Sequence, residues 1–208
     1  GDFSELRTYM VANLMWNPYA DTDSLRNHFV NGYYGKAAPY ITKYLDELTS
    51  RLLASKQPLW IYDSPVSHKH GMLSAEACAL YNDLFDKAEN AVADDSTFLM
   101  RVRRSRLSLQ FSQLEIARTE KDSDPRQTAA LIDLFEQRVK EYDIPAINER
   151  NNPPTDYCQL YRERYLPHDD GNNLARDCKV LYEPEPPMPY KNIAPTALTD
   201  GLLGGATY

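Results

Sequence analysis

Trp16, Asn17 and Pro18 form the first of four groups of side chains whose types and spacing could support chemistry. An aromatic ring can stack on the flat, partly apolar face of a pyranose, and an adjacent amide can hydrogen-bond its hydroxyl groups. These three residues therefore form a candidate sugar-binding turn. The structural alternative is that Trp16 packs beneath the end of a helix while Asn17 and Pro18 form the turn.

Tyr33 and Tyr34 form the second group, and they lie between Gly32 and Gly35. The two glycines are expected to supply a bend, which would place the tyrosines on a surface facing a glycan. The alternative is that the pair is split, with one ring in the core and the other exposed.

His68 and His70 lie two residues apart in a segment without helical periodicity, and Asp63 is nearby. Imidazole and carboxylate are common zinc ligands, so these residues are candidates for a metal site. Nothing else at ligand spacing supports such a site. The segment is therefore expected to be a solvated loop with no metal.

A local cluster of arginines forms the fourth group: Arg101, Arg103, Arg104 and Arg106. Guanidinium groups bind carboxylates and phosphates through paired hydrogen bonds, so the cluster could hold an acidic sugar or a phosphate. The alternative is ion pairing at helical and interhelical spacing. The acidic partners would then be Glu89, Asp94, Asp95 and Glu115.

No group of residues predicts a complete catalytic site. Glycoside hydrolysis needs two carboxylates about 5–10 Å apart in a cleft, and no such pair is singled out by its context. The motifs of serine hydrolases, zinc proteases, P-loop proteins and dinucleotide-binding proteins do not occur in the sequence. We therefore expect no catalytic residues and no cofactor in this chain.

The elements that would position these residues are helices. Apolar residues recur at helical spacing through most of the first 165 residues, which predicts an all-α bundle of about six or seven helices. The helices are expected at about residues 4–16, 22–33, 36–54, 75–92, 97–118, 125–142 and 155–165. The fifth has apolar residues on two faces and is expected to be central. Residues 59–62 could form a short strand.

Fourteen prolines, crowded toward the C-terminal third, predict a different organisation for residues 166–208. We expect an extended tail there. The domain boundary therefore falls between residues 165 and 166.

Composition excludes several classes of partner. The formal net charge is −7, so the chain lacks the basic surface that nucleic-acid binding requires. No apolar run approaches the roughly 18 residues of a membrane span. Of the three cysteines, Cys78 falls in a helical pattern and is expected to be buried, while Cys158 and Cys178 could form a disulfide or stay unpaired.

The first 48 residues are more specific than helix formation requires. The first helix ends in the pattern formed by Leu14, Trp16, Asn17 and Pro18. The acidic cap Asp21 and a second helix follow it. That helix ends in a turn with Phe29, Gly32, Tyr33, Tyr34 and Gly35. This pattern resembles the helical domain of unknown function that follows the catalytic barrel in glycoside-hydrolase-like bacterial proteins, related in layout to alpha-glucuronidases and hexosaminidases. The final residues, 197–208, resemble the first turn of a discoidin-type β-sandwich.

The resemblance implies an accessory helical module of a secreted glycoside hydrolase that acts on complex glycans. The module would buttress an upstream catalytic barrel and border its substrate cleft, with Trp16, Asn17, Tyr33 and Tyr34 as candidate glycan contacts. The parent would lie in the periplasm or at the cell surface. A buttress should expose a large apolar patch, expected on the first helix. The alternative is a stand-alone carbohydrate-binding or protein-interaction domain.

Overall fold

Seven α-helices and two short 3-10 helices form the regular structure of the chain in a computed structural model that describes residues 3–60, 63–120, 122–148 and 151–166. No strand occurs in these ranges, and the predicted all-α fold is confirmed. The α-helices are α1 (Ser4–Trp16), α2 (Thr22–Tyr34), α3 (Ala38–Ser55), α4 (Ala75–Ala91), α5 (Ser96–Ala117), α6 (Pro125–Glu141) and α7 (Pro154–Tyr165). The 3-10 helices are Gly35–Ala37 and Pro65–His68.

Four of the helices begin behind a side chain that accepts a hydrogen bond from a backbone N–H of the first turn. These N-caps are Asp21 for α2, Ser74 for α4, Asp95 for α5 and Asp124 for α6. Each cap satisfies a donor that has no partner within its helix. All four are Asp or Ser, the residue types that are favoured at the N-cap, so these helix starts can be recognised in the sequence.

The core consists of two clusters of buried apolar side chains that share α5. The first joins α2, α3 and α4 to α5 and contains Tyr44, Tyr81 and Phe85. The second joins α5 to α6 and α7 and contains Ile132, Phe135 and Tyr161. Val102 and Leu109 of α5 lie in the first cluster, while Leu107 and Leu114 lie in the second. The predicted central position of α5 is therefore confirmed.

Each cluster also contains a buried cysteine. Cys78 lies in the first cluster, as its helical pattern predicts, and Cys158 lies in the second. Cys178 falls outside the described residues, as does the predicted tail from residue 167 onward. Cys158 is a free thiol, so of the two alternatives it is the unpaired one that the structure has. The domain boundary and the start of a β-sandwich stay predictions.

Two local expectations are wrong. Leu59 and Trp60 have no regular structure, so the possible strand over residues 59–62 is absent in its described half; residues 61 and 62 are not described. Gly32 does not form a bend, because α2 continues through it to Tyr34. Gly35 alone turns the chain there, at a φ of 55°.

Within the described ranges, no helix combines the length and the apolar content needed to cross a bilayer.

The two glycines give a matched test of this turn. Gly35→Ala should lower the free energy of unfolding by more than about 1 kcal/mol, because alanine disfavours positive φ. Its Cβ would also meet the Phe98 ring at 3.0 Å. Gly32→Ala should instead stabilise the protein by about 0.5–1 kcal/mol, because the position is helical and open. Urea unfolding of both variants tests this, and equal effects would contradict the assignment of the turn to Gly35.

Candidate functional site

α1 lies at the edge of the bundle and has no buried residue. Its inner face packs along α2, where the Tyr9 hydroxyl is 2.9 Å from His28 Nδ1. The Tyr9 ring also lies 5.2 Å from the Phe29 ring, centroid to centroid. Leu6, Met10 and Leu14, which recur at helical spacing, belong to this partly buried face. α1 is therefore held to the bundle from one side.

In its last two turns the outer face of α1 is also apolar, whereas Arg7 and Thr8 are exposed in the turn before. Val11, Met15 and Trp16 are 51%, 81% and 92% exposed. Ala12 lies between them on the same side, one turn before Trp16. We call Val11, Ala12, Met15 and Trp16 the α1 outer face. An apolar patch was expected on this helix, but its position was not predicted. The signal for it is a second set of apolar residues at helical spacing, on the side of the helix away from Leu6, Met10 and Leu14.

The turn after α1 holds its shape through Asn17. The Asn17 side-chain oxygen accepts a hydrogen bond of 3.1 Å from the Tyr19 amide. The Ala20 amide donates to the Asn17 carbonyl at 3.1 Å. Asn17 thus forms the turn, as the structural alternative held. Trp16 does not pack beneath the helix end, and with Tyr19, which is 94% exposed, it presents two aromatic rings to solvent.

Tyr33 and Tyr34 are split between surface and core. Tyr34 is 1% exposed and its hydroxyl lies 2.7 Å from Ser105 Oγ, so its ring is not available to a surface ligand. Tyr33 is partly exposed, and the Arg101 guanidinium lies 4.4 Å from its ring centroid. Burial of Tyr34 removes the basis for a platform formed by both rings.

His68 is buried, whereas a solvated loop was expected. Its Nε2 lies 2.7 Å from Asp63 Oδ2, and the 3-10 helix that contains it packs on α5. Hydrogen bonds from Ser67, His68 and the Ser64 amide hold the pKa of the Asp63 carboxyl well below its usual value. His70 is exposed, so the two histidines do not face one site. The described residues contain no group of three His, Cys, Asp or Glu side chains that could hold a metal.

The arginine cluster divides among several partners. Arg103 and Arg106 both bind Glu89, at 3.0 and 2.9 Å, and Arg106 also binds Asp86 at 2.6 Å. Arg138 of α6, which is 7% exposed, lies 3.4 Å from the same Glu89 carboxylate. Pairing with Glu89 was predicted, but Arg138 was missed because no local spacing links α4 to α6. Arg101 and Arg104 point elsewhere, toward Tyr33 and Glu5.

Three guanidinium groups around one carboxylate have an electrostatic consequence. Burial by itself would raise the pKa of the Glu89 carboxyl, but the hydrogen bonds from Arg103 and Arg106 and the charge of Arg138 outweigh it. The pKa is therefore held below its ordinary value. Glu89 joins α4 to both α5 and α6 as a charged, structural contact.

Residues 1–46, which span α1, α2 and part of α3, match a protein family described as "Domain of unknown function (DUF4838)". Comparison with curated proteins and comparison with solved structures both returned no match. The match supports a domain of unknown function in this segment. It coincides with the strongest part of the resemblance in the sequence.

Glu89→Gln should lower the free energy of unfolding by about 2–3 kcal/mol at pH 7, because it removes the countercharge of Arg103 and of the buried Arg138, while Arg106 keeps Asp86. A depressed pKa stabilises the fold above the unfolded value near 4.3 and loses that contribution as pH falls below it. The difference between wild type and variant should therefore shrink between pH 5 and pH 3.

Urea unfolding at pH 7, 5 and 3 measures this. Asp83→Asn is the matched control, since it removes an exposed pair with Lys87 in the same helix. Its effect should stay below about 0.5 kcal/mol at every pH. A Glu89→Gln effect that is constant from pH 7 to pH 3 would contradict the proposed ion cluster.

Proposed function

We propose that this chain is an accessory helical module that docks on a neighbouring domain through the α1 outer face. The observation that carries the proposal is the exposure of Val11, Met15 and Trp16 in one stripe of a helix that has no buried residue. Removing a large apolar side chain from water contributes about 1.5–3 kcal/mol. Contiguous apolar patches on soluble domains commonly mark interaction sites.

The neighbouring domain in this proposal is the catalytic barrel of a glycoside hydrolase. Support comes from the resemblance of Trp16, Asn17, Pro18 and the Gly35 turn to the helical domain that follows such barrels. The family match over residues 1–46 supports a domain of unknown function and carries no activity. The parent would act on complex glycans and be exported to the periplasm or the cell surface.

A second candidate function is glycan binding at the turn after α1. The observation that favours it is the pair of exposed rings, Trp16 and Tyr19, on either side of Asn17. The Asn17 oxygen is engaged by the Tyr19 amide, so the side-chain NH₂ group would be the one to meet a sugar hydroxyl. In this version Trp16 borders the substrate cleft instead of being covered by the barrel.

The docking proposal predicts that Met15→Ser combined with Trp16→Ser weakens binding to the separately produced barrel at least tenfold, as measured by calorimetry. The physical reason is the loss of buried apolar area at the contact. Circular dichroism should show an unchanged fold, because neither side chain is buried.

A matched double variant, Leu53→Ser with Trp60→Ser, removes two exposed apolar side chains that lie outside α1. Its affinity for the barrel should stay within about twofold of wild type, because side chains outside an interface contribute little. Equal loss in both double variants would contradict docking through the α1 outer face.

The glycan proposal has a fluorescence test, because Trp16 and Trp60 are the two tryptophans of the chain. In Trp60→Phe, emission reports on residue 16 alone. Glycan stacking predicts a saturable change in this emission on titration with cellohexaose, xylohexaose or other oligosaccharides of a panel. The control is Trp16→Phe, whose remaining emission should not respond. A flat titration with every member of the panel leaves docking as the function of this surface.

A further inference from the structure

A cavity of about 380 Å³ lies at the N-terminal end of α1, away from the last two turns that carry the α1 outer face. Its walls come from the N-terminal end of α1, from α5 and α6, and from the segment 144–147 that follows α6. Residues distant in sequence therefore meet around one space. Its volume is in the range that holds small-molecule ligands.

The interior of this cavity is apolar. Phe111 of α5, Phe135 and Val139 of α6 and Ile144 line it, and Leu107 closes it from the second core cluster. The hydroxyl groups of Ser105 and Ser108 also reach the wall, but both donate to backbone carbonyls of α5. The surface offered to a ligand is thus hydrophobic, with aromatic rings that suit a flat apolar body.

Two guanidinium groups line the same cavity. Arg101 is fixed in place, because it donates to the Tyr33 carbonyl at 3.0 Å and lies over the Tyr33 ring. Arg104 lies one turn further along α5, is about half exposed, and pairs with Glu5 at 3.6 Å. That separation is long for an ion pair in contact with water, and such pairs contribute little. Arg104 can therefore exchange Glu5 for another carboxylate.

The charges select among anions. Arg101, Arg104 and Glu5 together carry a net charge of +1 at a cavity in a chain whose net charge is −7. A ligand with one negative charge neutralises this site, whereas the Glu5 carboxylate would repel a second negative charge on the ligand. The planar fork of an arginine matches a carboxylate with two parallel hydrogen bonds. A neutral sugar would leave its hydroxyl groups against the apolar wall without partners.

We propose that this cavity binds a small amphipathic monocarboxylate, with its aromatic or branched apolar body against the contacting rings of Phe111 and Phe135 and its carboxylate on Arg104. The α1 outer face is not part of the site, so the two proposals stand or fall separately. Glu5 acts as an internal competitor that occupies Arg104 in the absence of ligand.

The probe for this site is 2-naphthoate, and the comparison compound is 2-naphthalenemethanol, which has the same ring system without the charge. Binding is followed by ¹H–¹⁵N NMR titration of the whole chain. The expected result is saturable binding of 2-naphthoate with shifts at Leu107, Phe111 and Ile144. The alcohol should bind about tenfold more weakly, because it lacks the charge-assisted hydrogen bond.

Three variants assign the charge selection. Arg104→Gln should reduce 2-naphthoate affinity about tenfold and leave the alcohol unchanged. Glu5→Gln should have the opposite effect and bind 2-naphthoate more tightly than wild type, because the competitor is gone. Arg126→Gln, which removes an exposed arginine outside the cavity, should change neither affinity.

Arg104→Gln and Glu5→Gln are expected to change the affinity for 2-naphthoate in opposite directions. Misfolding cannot explain this result, since a misfolded variant would not gain affinity. The proposal is overturned if 2-naphthoate fails to saturate the chain, or if the alcohol binds equally well. It is also overturned if Arg104→Gln matches Arg126→Gln, or if Glu5→Gln weakens binding.

Discussion

The two apolar faces of α5 organise the helices that form the core in the described part of the chain. Val102 and Leu109 need cover on one side, and Leu107 and Leu114 need it on the other, because exposing such a helix to water is costly. α2 and α4 cover the first side and α3 packs against both of them, while α6 and α7 cover the second. The bundle therefore has two half-cores, which are the two core clusters, and α5 is the helix that they share.

Charge then fixes how the two halves meet. Glu89 reaches from α4 to Arg103 and Arg106 of α5 and to Arg138 of α6, so one carboxylate touches both sides of the shared helix. A buried charge must be paired, so this ion cluster adds a requirement on the alignment of the three helices beyond that of apolar packing. The other two arginines of the cluster, Arg101 and Arg104, stay outside this network and line a separate cavity.

The sequence predicted helices, caps and the central position of α5, because these depend on periodicity and on local hydrogen bonds. It failed where the outcome depends on tertiary contact. Gly32 is helical, although it flanks the same two tyrosines as Gly35. His68 is buried because its 3-10 helix packs on α5, a contact that the polar residues around it in the sequence do not indicate. The candidate sites follow the same rule: exposure of Trp16 and burial of Tyr34 depend on which side of a helix is covered, and short motifs do not encode that.

Each half-core also contains one thiol, and this makes the two halves separately observable. Burial raises the pKa of Cys78 and of Cys158 to about 11 each, so neither is a reactive thiolate while its helix stays packed. With Cys178 replaced by serine, alkylation at neutral pH would record how often each half opens. Equal modification rates would indicate that both half-cores open in a single event, because they share α5. Different rates would indicate that one half-core opens without the other.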